Sequence, residues 1–371
     1  MPWSTFIGTV PVRKDQEEHR DGGNESGYLG LSSCPLRPFR IVDFLYSSPK
    51  MKTRPIPHTN LKASELCLGT AEFGSAVEDS VSENIIKTYL DAGGNVLDTA
   101  EIYAAWLPNG EHRSETFLGN WLRKNKNRDQ LIISTKGAHP RLASMDKPRM
   151  SKAVVESDLN SSLQRLGIDC ADIYWLHRDD PSTPVEEIVL MLEAFRKAGK
   201  IRYSGLSNWT QERAEAARMA AEKLGVQPII GVQNQWSLAK ADASKGDPTW
   251  AYTDGSFTQW HSHHNIAAFP YTPQANGYFR RLENGTLDKA SDLVRNLFDS
   301  PENRERYQRV KAIQSETELS TGAIVLGYLV KQSFPVFPII GPKKSADLIE
   351  SFEATKATLT AENIAYLTGQ S

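Results

Sequence analysis

The sequence has few cysteines and no long hydrophobic segment. Its three cysteines, Cys34, Cys67 and Cys170, are spaced too widely for a disulfide framework or a cysteine metal cluster. No apolar run approaches the roughly 20 residues that a helix needs to cross a bilayer. Long runs of one charge are also missing. The 43 basic and 45 acidic residues leave a formal net charge of −2. These absences argue against a nucleic-acid surface and against a membrane patch.

The N-terminal segment differs in composition from the rest of the chain. Residues 1–50 contain the polar run DQEEHRDGGNESG and a Ser/Pro-rich stretch without a sustained hydrophobic period. We expect this segment to be a poorly ordered extension, followed by the main domain over residues 51–371. The sequence leaves open whether translation naturally begins at Met51. The first residues become charged too early for a secretory signal, so we expect a cytoplasmic protein.

Short apolar segments alternate with helical patterns along the main domain. Two short strand-like runs around a polar turn follow Met51 and predict an N-terminal β-hairpin. Each later apolar segment is followed or preceded by a helix-period segment, and such continuous apolar runs are typical of parallel strands buried on both faces. The eight segments are SELCLGT, NVLDTA, LIISTK, DIYWLH, IRYSGLSN, IIGVQNQ, IAAFPYT and FPVFPII.

Eight β/α units in one chain favour a closed barrel. The rival fold is an open doubly wound sheet, but no G-x-G-x-x-G opens a helix after any strand. The sequence therefore predicts an α/β protein with a (β/α)₈ TIM barrel. Within this pattern, Ser80 and Glu83 predict a capping box for the first barrel helix, which would carry Val81 on its apolar stripe. Residues 238–264 interrupt the rhythm and are interpreted as a long loop.

Polar residues stand at the ends of three consecutive strands. Asp98 ends the second barrel strand, Lys136 the third and His177 the fourth, and Tyr103 lies five residues after Asp98. Active sites of (β/α)₈ barrels gather at the C-terminal ends of the strands. The sequence thus brings a carboxylate, a phenol, an ammonium and an imidazole towards one barrel mouth.

This set of groups suits the reduction of a carbonyl. A hydride that reaches a carbonyl carbon leaves an alkoxide, which needs a proton donor. The phenol of Tyr103 has an ordinary pKa of about 10, and we expect Lys136 to lower it. In this hypothesis Asp98 anchors Lys136, and His177 orients the carbonyl oxygen.

The motifs resemble those of the aldo-keto reductase superfamily. The resemblance rests on D-T-A-x-x-Y at Asp98–Tyr103, S-T-K at Ser134–Lys136 and H-x-x-D ending at Asp180, in family order at successive strand ends. It covers the chain from about Thr53 onwards and implies the barrel fold, a nicotinamide cofactor and the catalytic roles given above. It also implies nicotinamide-binding positions at Gly69, Thr70, Ser207, Asn208, Gln233, Tyr271, Thr272 and Pro273.

The segment that begins with the last strand is predicted to bind the phosphate of the cofactor. The segment FPIIGPKKSADLIES resembles the adenosine-phosphate segment of the family, and it implies contacts from Gly341, Lys343, Lys344, Ser345, Asp347 and Ser351. Two lysines at a helix N-terminus suit a 2′-phosphate, which favours NADP(H) over NAD(H). Asp347 and Ser351 depart from the usual family residues, and Lys343 replaces a more usual arginine.

The substrate side is less defined by the sequence. We predict contacts from Trp106, Arg178, Trp236 and Trp260 with a small-molecule carbonyl or alcohol substrate. His261, His263 and His264 form a histidine cluster, but without Cys or paired carboxylates at ligand spacing we predict no metal site.

Two alternatives remain open at this stage. The first is a slow-turnover NADP(H)-binding redox sensor or regulatory subunit, a role found in some members of the superfamily. The second is a sugar or polyol dehydrogenase, in which the same groups oxidise an alcohol. The sequence does not reveal the physiological substrate, the direction of the reaction or the oligomeric state.

Overall fold

The computed structural model describes residues 50–370. The predicted N-terminal extension therefore lies almost entirely outside the described residues and stays a prediction. The described chain opens with an antiparallel hairpin of β1 (Thr53–Pro55) and β2 (Lys62–Ser64), in which Thr53 pairs with Ser64. This confirms the predicted N-terminal hairpin.

Eight further strands form one parallel sheet. Each strand from β3 to β8 pairs with the next one in the chain, and β10 pairs with β3. A parallel bridge between Ala268 and Val336 joins β9 to the segment just before β10, which closes the circle. The strands are β3 (Cys67–Gly69), β4 (Val96–Asp98), β5 (Ile132–Gly137), β6 (Ala171–Leu176), β7 (Ile201–Ser207), β8 (Gly231–Gln233), β9 (Ala267–Ala268) and β10 (Ile339–Ile340). The predicted (β/α)₈ barrel and its eight strands are confirmed.

The strands are buried, and the hairpin covers one end of them. All six residues of β5 and all six of β6 are buried, as expected for strands that face both the barrel interior and the helices. Ile56 and Leu61 of the hairpin belong to the same apolar cluster as Val96 and Ile132, which begin their strands. The hairpin therefore lies at the N-terminal end of the barrel, and the opposite end carries the predicted active-site residues.

Helices surround the sheet. Several begin at capping residues, such as Thr210, whose side chain accepts a hydrogen bond from the amide of Arg213. Gly167 and Gly225 end two of them in the left-handed conformation that glycine adopts without strain. The helices are α1 (Asp79–Asp91), α2 (Arg113–Asn125), α3 (Lys152–Leu166), α4 (Val185–Lys197), α5 (Gln211–Leu224), α6 (Gly255–His264), α7 (Tyr278–Glu283), α8 (Asp292–Phe298), α9 (Pro301–Thr317), α10 (Thr321–Val330), α11 (Ser345–Lys356) and α12 (Ala361–Thr368).

Two local predictions were wrong. Helix α1 begins at Asp79 with Glu78 as its N-cap, so Ser80 lies inside the helix and Val81 faces outwards at 36% exposure. The expected long loop at 238–264 contains helix α6, because the Asp254 side chain accepts a hydrogen bond from the Phe257 amide and starts a helix there.

The segment between β9 and α10 holds three helices that the hydrophobic pattern did not predict. Two of them begin at capping serines, since Ser291 accepts a hydrogen bond from the Val294 amide and Ser300 accepts one from the Asn303 amide. Among residues 50–370, every helix is too short or too polar to cross a bilayer.

Candidate active site

Three of the predicted catalytic residues lie at the C-terminal ends of neighbouring strands. Asp98 is the last residue of β4, Lys136 is the fifth residue of β5, and His177 directly follows β6. The strand register sets Asp98 opposite Ser134 and Lys136 opposite Trp175. Because parallel strands end on the same side of a barrel, these three side chains and the loop that carries Tyr103 share one rim.

Lys136 is the centre of this group. Its Nζ lies 2.5 Å from Asp98 Oδ2, 2.8 Å from the Thr99 carbonyl oxygen and 2.9 Å from Tyr103 Oη. An ammonium has three N–H donors, so all three are used. The side chain is fully buried. Burial lowers the pKa of Lys136, but Asp98 and then Tyr103 raise it, and the net pKa lies above the ordinary value, so the ammonium stays charged.

Asp98 is itself held by hydrogen bonds to its other oxygen. Ser134 Oγ donates to Asp98 Oδ1 at 2.7 Å, and Gln233 Nε2 donates to the same oxygen at 3.3 Å. The indole N–H of Trp175 donates to Ser134 Oγ at 2.7 Å, which fixes the hydroxyl. Gln233, predicted as a nicotinamide contact, therefore already uses its amide N–H on Asp98.

The phenol of Tyr103 is held over the ammonium. Lys136 Nζ lies 4.5 Å from the centroid of the Tyr103 ring, and the indole of Trp106 packs edge-on against that ring at 6.2 Å. Burial raises the pKa of Tyr103, Lys136 lowers it and Asp98 raises it, and the net pKa lies above 10. Lys136 lowers the pKa as expected, but the desolvation of the phenol outweighs the nearby ammonium. The phenol is thus protonated at neutral pH.

His177 is a neutral imidazole beside Tyr103. The two ring centroids are 5.8 Å apart, and His139 packs on the other ring edge at 4.8 Å. Burial and the neighbouring His139 lower the pKa of His177 well below its usual range, and burial lowers that of His139 to about 3. Nδ1 of His177 is buried and has no hydrogen-bond partner among the described residues. His139 was not singled out by sequence reasoning, although it stands only two residues after β5.

A second network joins His177 to the ends of β7 and β9. Asn208 Nδ2 donates to the His177 carbonyl oxygen at 3.2 Å and to Ser207 Oγ at 3.1 Å. Tyr271 Oη donates to Asn208 Oδ1 at 2.6 Å. Arg178 Nη1 donates to the same His177 carbonyl at 2.8 Å. Ser207, Asn208, Tyr271 and Arg178 are therefore brought together around the His177 backbone.

The residues predicted on the first strand support the same rim. Thr70 Oγ1 donates to the Asp98 carbonyl oxygen at 3.0 Å. A side chain at Gly69 would meet Ile339 at 2.9 Å, so glycine permits the close approach of β3 and β10. Thr272, in the left-handed region at φ 53°, and Pro273 lie in the turn after Tyr271.

The predicted phosphate segment is held mainly by hydrogen bonds to its own Asp347 carboxylate. Asp347 Oδ2 accepts hydrogen bonds from the amides of Lys343 and Lys344 at 3.1 and 3.2 Å. Lys343 Nζ lies 3.0 Å from Glu72 Oε2, while Lys344 makes no ion pair within residues 50–370. Glu72, in the turn after β3, was missed by sequence reasoning because its partner is about 270 residues away.

The other predicted members of this segment have their own contacts. Ser345 Oγ accepts a hydrogen bond from Asn84 Nδ2 at 2.9 Å, and Ser351 Oγ donates to the Asp347 carbonyl at 2.8 Å. A side chain at Gly341 would meet no atom within 4 Å, so this turn faces open space. The exposed ammonium groups of Lys343 and Lys344 remain as the charges available to an anionic ligand.

Two predicted substrate residues do not join the group. Trp236 stacks on Phe334 and packs edge-on against Tyr328, within the apolar cluster of α7 to α10. Trp260 lies in α6, packs in the cluster of α3 to α5, and donates its indole N–H to Glu215. Within the described residues, neither makes a ring contact or hydrogen bond with Asp98, Tyr103, Lys136 or His177, because both rings are used in packing between helices.

The histidine cluster of the predicted loop lies on helix α6. His261 stacks against Phe334 and Phe257, and its Nδ1 is 2.8 Å from the Ile266 carbonyl oxygen. Burial lowers the pKa of His261 to about 4, so its ring is neutral. Within residues 50–370, His, Cys, Asp and Glu nowhere form a group of three that could hold a metal ion.

The chain is similar to proteins of known family. The sequence profile of the Aldo/keto reductase family matches residues 65–370. An aryl-alcohol dehydrogenase of Pestalotiopsis microspora is 25% identical over 83% of this chain and 79% of that protein. An NADP(+) aryl-alcohol dehydrogenase of Phanerodontia chrysosporium is 26% identical over 84% of this chain and 83% of that protein.

A solved structure shares the fold. The crystal structure of a thermostable aldo-keto reductase, Tm1743, with the inhibitor epalrestat has a TM-score of 0.66 to this chain at 20% identity. The match covers 86% of this chain and 100% of that one. At this identity the likeness supports the barrel architecture alone.

Proposed function

The chain belongs to the aldo/keto reductase family, and on that premise we propose that it exchanges a hydride between NADP(H) and a carbonyl or alcohol, with Tyr103 as the proton donor and acceptor. The observation that carries this proposal is the position of Lys136 Nζ, which touches Asp98 Oδ2 at 2.5 Å and Tyr103 Oη at 2.9 Å. A phenol held beside a buried, anchored ammonium is suited to releasing and recovering a proton.

In the reductive direction, side chains of the protein neutralise the negative charge that develops on the carbonyl oxygen. A bound nicotinamide would supply the hydride. Tyr103 Oη, protonated at neutral pH, donates its proton to the oxygen that becomes an alkoxide. Lys136 stabilises the resulting phenolate, and Asp98 keeps Lys136 charged and in place. In the oxidative direction the same phenolate takes the proton back from the alcohol.

His177 orients the substrate in this proposal. The lowered pKa of His177 keeps the ring neutral, so one ring nitrogen carries a proton that can be donated to the substrate and the other can accept a hydrogen bond. A neutral donor polarises a carbonyl oxygen without supplying a competing proton. Trp106, packed against Tyr103, would form an apolar wall beside the reacting atoms.

The residues of the β10–α11 segment fit a dinucleotide phosphate in charge. Lys344 has no ion pair within the described residues. The Lys343 side chain is 71% exposed and forms an ion pair with Glu72. The amides of both residues already bind Asp347, so a 2′-phosphate would be held by the ammonium groups rather than by the helix N-terminus. A relative named as an NADP(+) enzyme supports this choice of cofactor.

The same site bears on the direction of hydride transfer and on the regulatory alternative. The relatives are named dehydrogenases, and the proposed groups serve oxidation as well as reduction, so an alcohol substrate fits the proposal. The complete contact set of Lys136 favours turnover over a purely regulatory NADP(H)-binding role, since a binding subunit needs no proton donor.

A steady-state assay tests the proposal. Purified full-length chain is mixed with NADPH or NADH and a panel of aromatic and aliphatic aldehydes, and the loss of reduced nicotinamide is compared with the alcohol formed. We expect equal amounts of both and a kcat/KM for NADPH about 10-fold or more above that for NADH. Absence of turnover with every aldehyde would overturn the enzymatic proposal, and equal use of NADH would overturn the choice of cofactor.

A further inference from the structure

Two basic side chains are fully or almost fully buried among the described residues, and they differ in their partners. Lys136 uses its three donors on Asp98, Thr99 and Tyr103. Arg178 is 5% exposed and has only uncharged partners. Its Nη1 donates to the His177 carbonyl at 2.8 Å, and its Nε donates to Thr249 Oγ1 at 2.9 Å.

The missing carboxylate partner makes Arg178 unusual in this chain. A buried charge without a counter-charge is costly, and proteins normally pair it. Other arginines of low exposure follow that rule here, since Arg149 lies 2.7 Å from Asp158 and Arg165 lies 2.7 Å from Glu115. Within residues 50–370, Arg178 forms no ion pair, and its side-chain hydrogen bonds go to the Thr249 hydroxyl and the His177 carbonyl.

The nearest acid on the covering loop is occupied elsewhere. Asp247 Oδ1 accepts hydrogen bonds from the Thr249 amide at 2.8 Å and from its hydroxyl at 2.6 Å. The Thr249 hydroxyl in turn accepts from Arg178 Nε, so the acid reaches the guanidinium only through that hydroxyl. Nη2 of Arg178 makes no hydrogen bond within residues 50–370, and Nη1 uses only one of its two N–H groups. The Nη1–Nη2 edge is one of the two guanidinium edges that can bind a carboxylate in a bidentate manner.

Arg178 lies beside the residues of the proposed site. It directly follows His177 in the chain and shares the His177 carbonyl with Asn208, the residue that binds Tyr271. The Arg178 charge acts on two phenols of the proposed site, since it lowers the pKa of Tyr103 and of Tyr271, although burial raises both.

We propose that Arg178 binds a carboxylate of the substrate, and that the physiological substrate is a carbonyl or alcohol that also carries such an anionic group. The free guanidinium edge supplies two parallel N–H donors, and the substrate anion supplies the counter-charge that the chain lacks at this position. This inference rests on the proposed function, since it places the anion next to the reacting carbonyl. The competing role for Arg178 is a clamp that ties the Thr249 loop to the end of β6.

Matched aldehydes test the inference. The full-length chain with NADPH is assayed with 3- and 4-formylbenzoate and with their methyl esters, which keep the aldehyde and remove the charge. We expect kcat/KM for at least one acid to exceed that for its ester by about 10-fold or more, mainly through a lower KM. Arg178→Gln abolishes this preference, and Arg178→Lys restores part of it, since lysine keeps the charge but not the fork.

A second arginine provides the control. Arg141 also lies on a loop after a barrel strand, but it is half exposed and already paired with Glu101 at 3.1 Å. Arg141→Gln removes the same charge and is expected to leave the acid-to-ester ratio within about 2-fold of the wild type, because the Arg141 guanidinium already binds a carboxylate of the chain.

Binding measurements separate the remaining outcomes. Calorimetry with the NADPH-bound chain compares benzoate with methyl benzoate, and we expect benzoate to bind more weakly to Arg178→Gln by about 10-fold. An unchanged acid-to-ester ratio with both activities reduced would show a loop clamp, and weaker NADPH binding alone would show a cofactor contact; either result overturns the inference. If no aldehyde is reduced, the proposed function fails, and the benzoate comparison decides the anion site separately.

Discussion

The two ends of the proposed site hold their lysines in opposite ways. At the catalytic end Lys136 is fully buried, and its three N–H groups donate hydrogen bonds to Asp98, Thr99 and Tyr103. At the phosphate end Lys343 is 71% exposed, and its one ion pair, with Glu72, joins two loops. The first cation is fixed by the fold, whereas the second is free to exchange one anion for another.

This difference matches what each end has to do in the proposed function. Groups that stabilise charge in a reaction work best when their positions are set beforehand, because no energy is then spent on reorienting them. A lysine that captures a phosphate from solution needs exposure and a weak partner that the phosphate displaces. The comparison therefore predicts large effects from changes at the catalytic end and small effects at the phosphate end.

Removal of the two lysines gives the largest contrast. Lys136→Met leaves Asp98 buried without its counter-charge, so we expect the free energy of unfolding to fall by about 3–5 kcal/mol. Lys343→Met removes an exposed charge, and we expect a change of less than about 1 kcal/mol. Urea unfolding of the two variants measures both.

The double variant Lys136→Met/Asp98→Asn sharpens that contrast. Because it removes both charges, it is expected to recover a large part of the stability lost in Lys136→Met. Equal losses in the two single variants, or no recovery in the double variant, would contradict the view that one pair is fixed and the other exchangeable.

The catalytic end contributes to the pH dependence of stability. Burial lowers the pKa of His139 to about 3, and that of His177 is also lowered. Both rings are neutral when folded and take up a proton on unfolding below about pH 6.5. Their stabilisation is complete above that pH and is lost as pH falls, at about 1.4 kcal/mol per pH unit for each histidine.

The variant His139→Asn isolates this effect. Asparagine can still donate to the Pro140 carbonyl, which lies 2.6 Å from His139 Nδ1, but it does not titrate. Urea unfolding at several values between about pH 6.5 and 5 is expected to give a slope lower than that of the wild type by about 1.4 kcal/mol per pH unit. An unchanged slope would mean that His139 titrates normally.

The smallest predicted effect concerns the phosphate end. Glu72→Gln releases Lys343 from its partner, so we expect NADPH to bind about 2- to 3-fold more tightly while NADH binding stays the same. Quenching of tryptophan fluorescence by each nucleotide gives the two affinities. Glu156→Gln, which breaks the Lys200 pair on α3, serves as the matched control. Weaker NADPH binding in Glu72→Gln would show that the pair supports the site rather than competing with the phosphate.

The sequence predicts well what depends on local pattern and chain order. The eight apolar segments became the eight barrel strands, and the hairpin formed at its predicted place. Asp98, Lys136 and His177 could be assigned to one rim because parallel strands of a barrel end on the same side. The contacts of Lys136 with Asp98 and Tyr103 follow from that placement.

Other features depend on three-dimensional contacts that no local pattern carries. The net pKa of Tyr103 reflects a balance between burial and charge that only the packed structure decides. Gln233, at the end of β8, turns towards Asp98, and Trp260, inside helix α6, turns towards Glu215. Helix α6 was recoverable in part, since Asp254 is a good N-cap residue.

The most direct test of the central claim is a single-turnover measurement on Tyr103→Phe. The NADPH-bound chain is mixed rapidly with an aldehyde that the wild type reduces, and the loss of NADPH is recorded. We predict a rate lower by about 10²- to 10⁴-fold in Tyr103→Phe. Tyr252→Phe, which removes a buried hydroxyl without a hydrogen-bond partner, is expected to stay near the wild-type rate. A folded Tyr103→Phe chain that reduces the aldehyde as fast as the wild type would contradict the account.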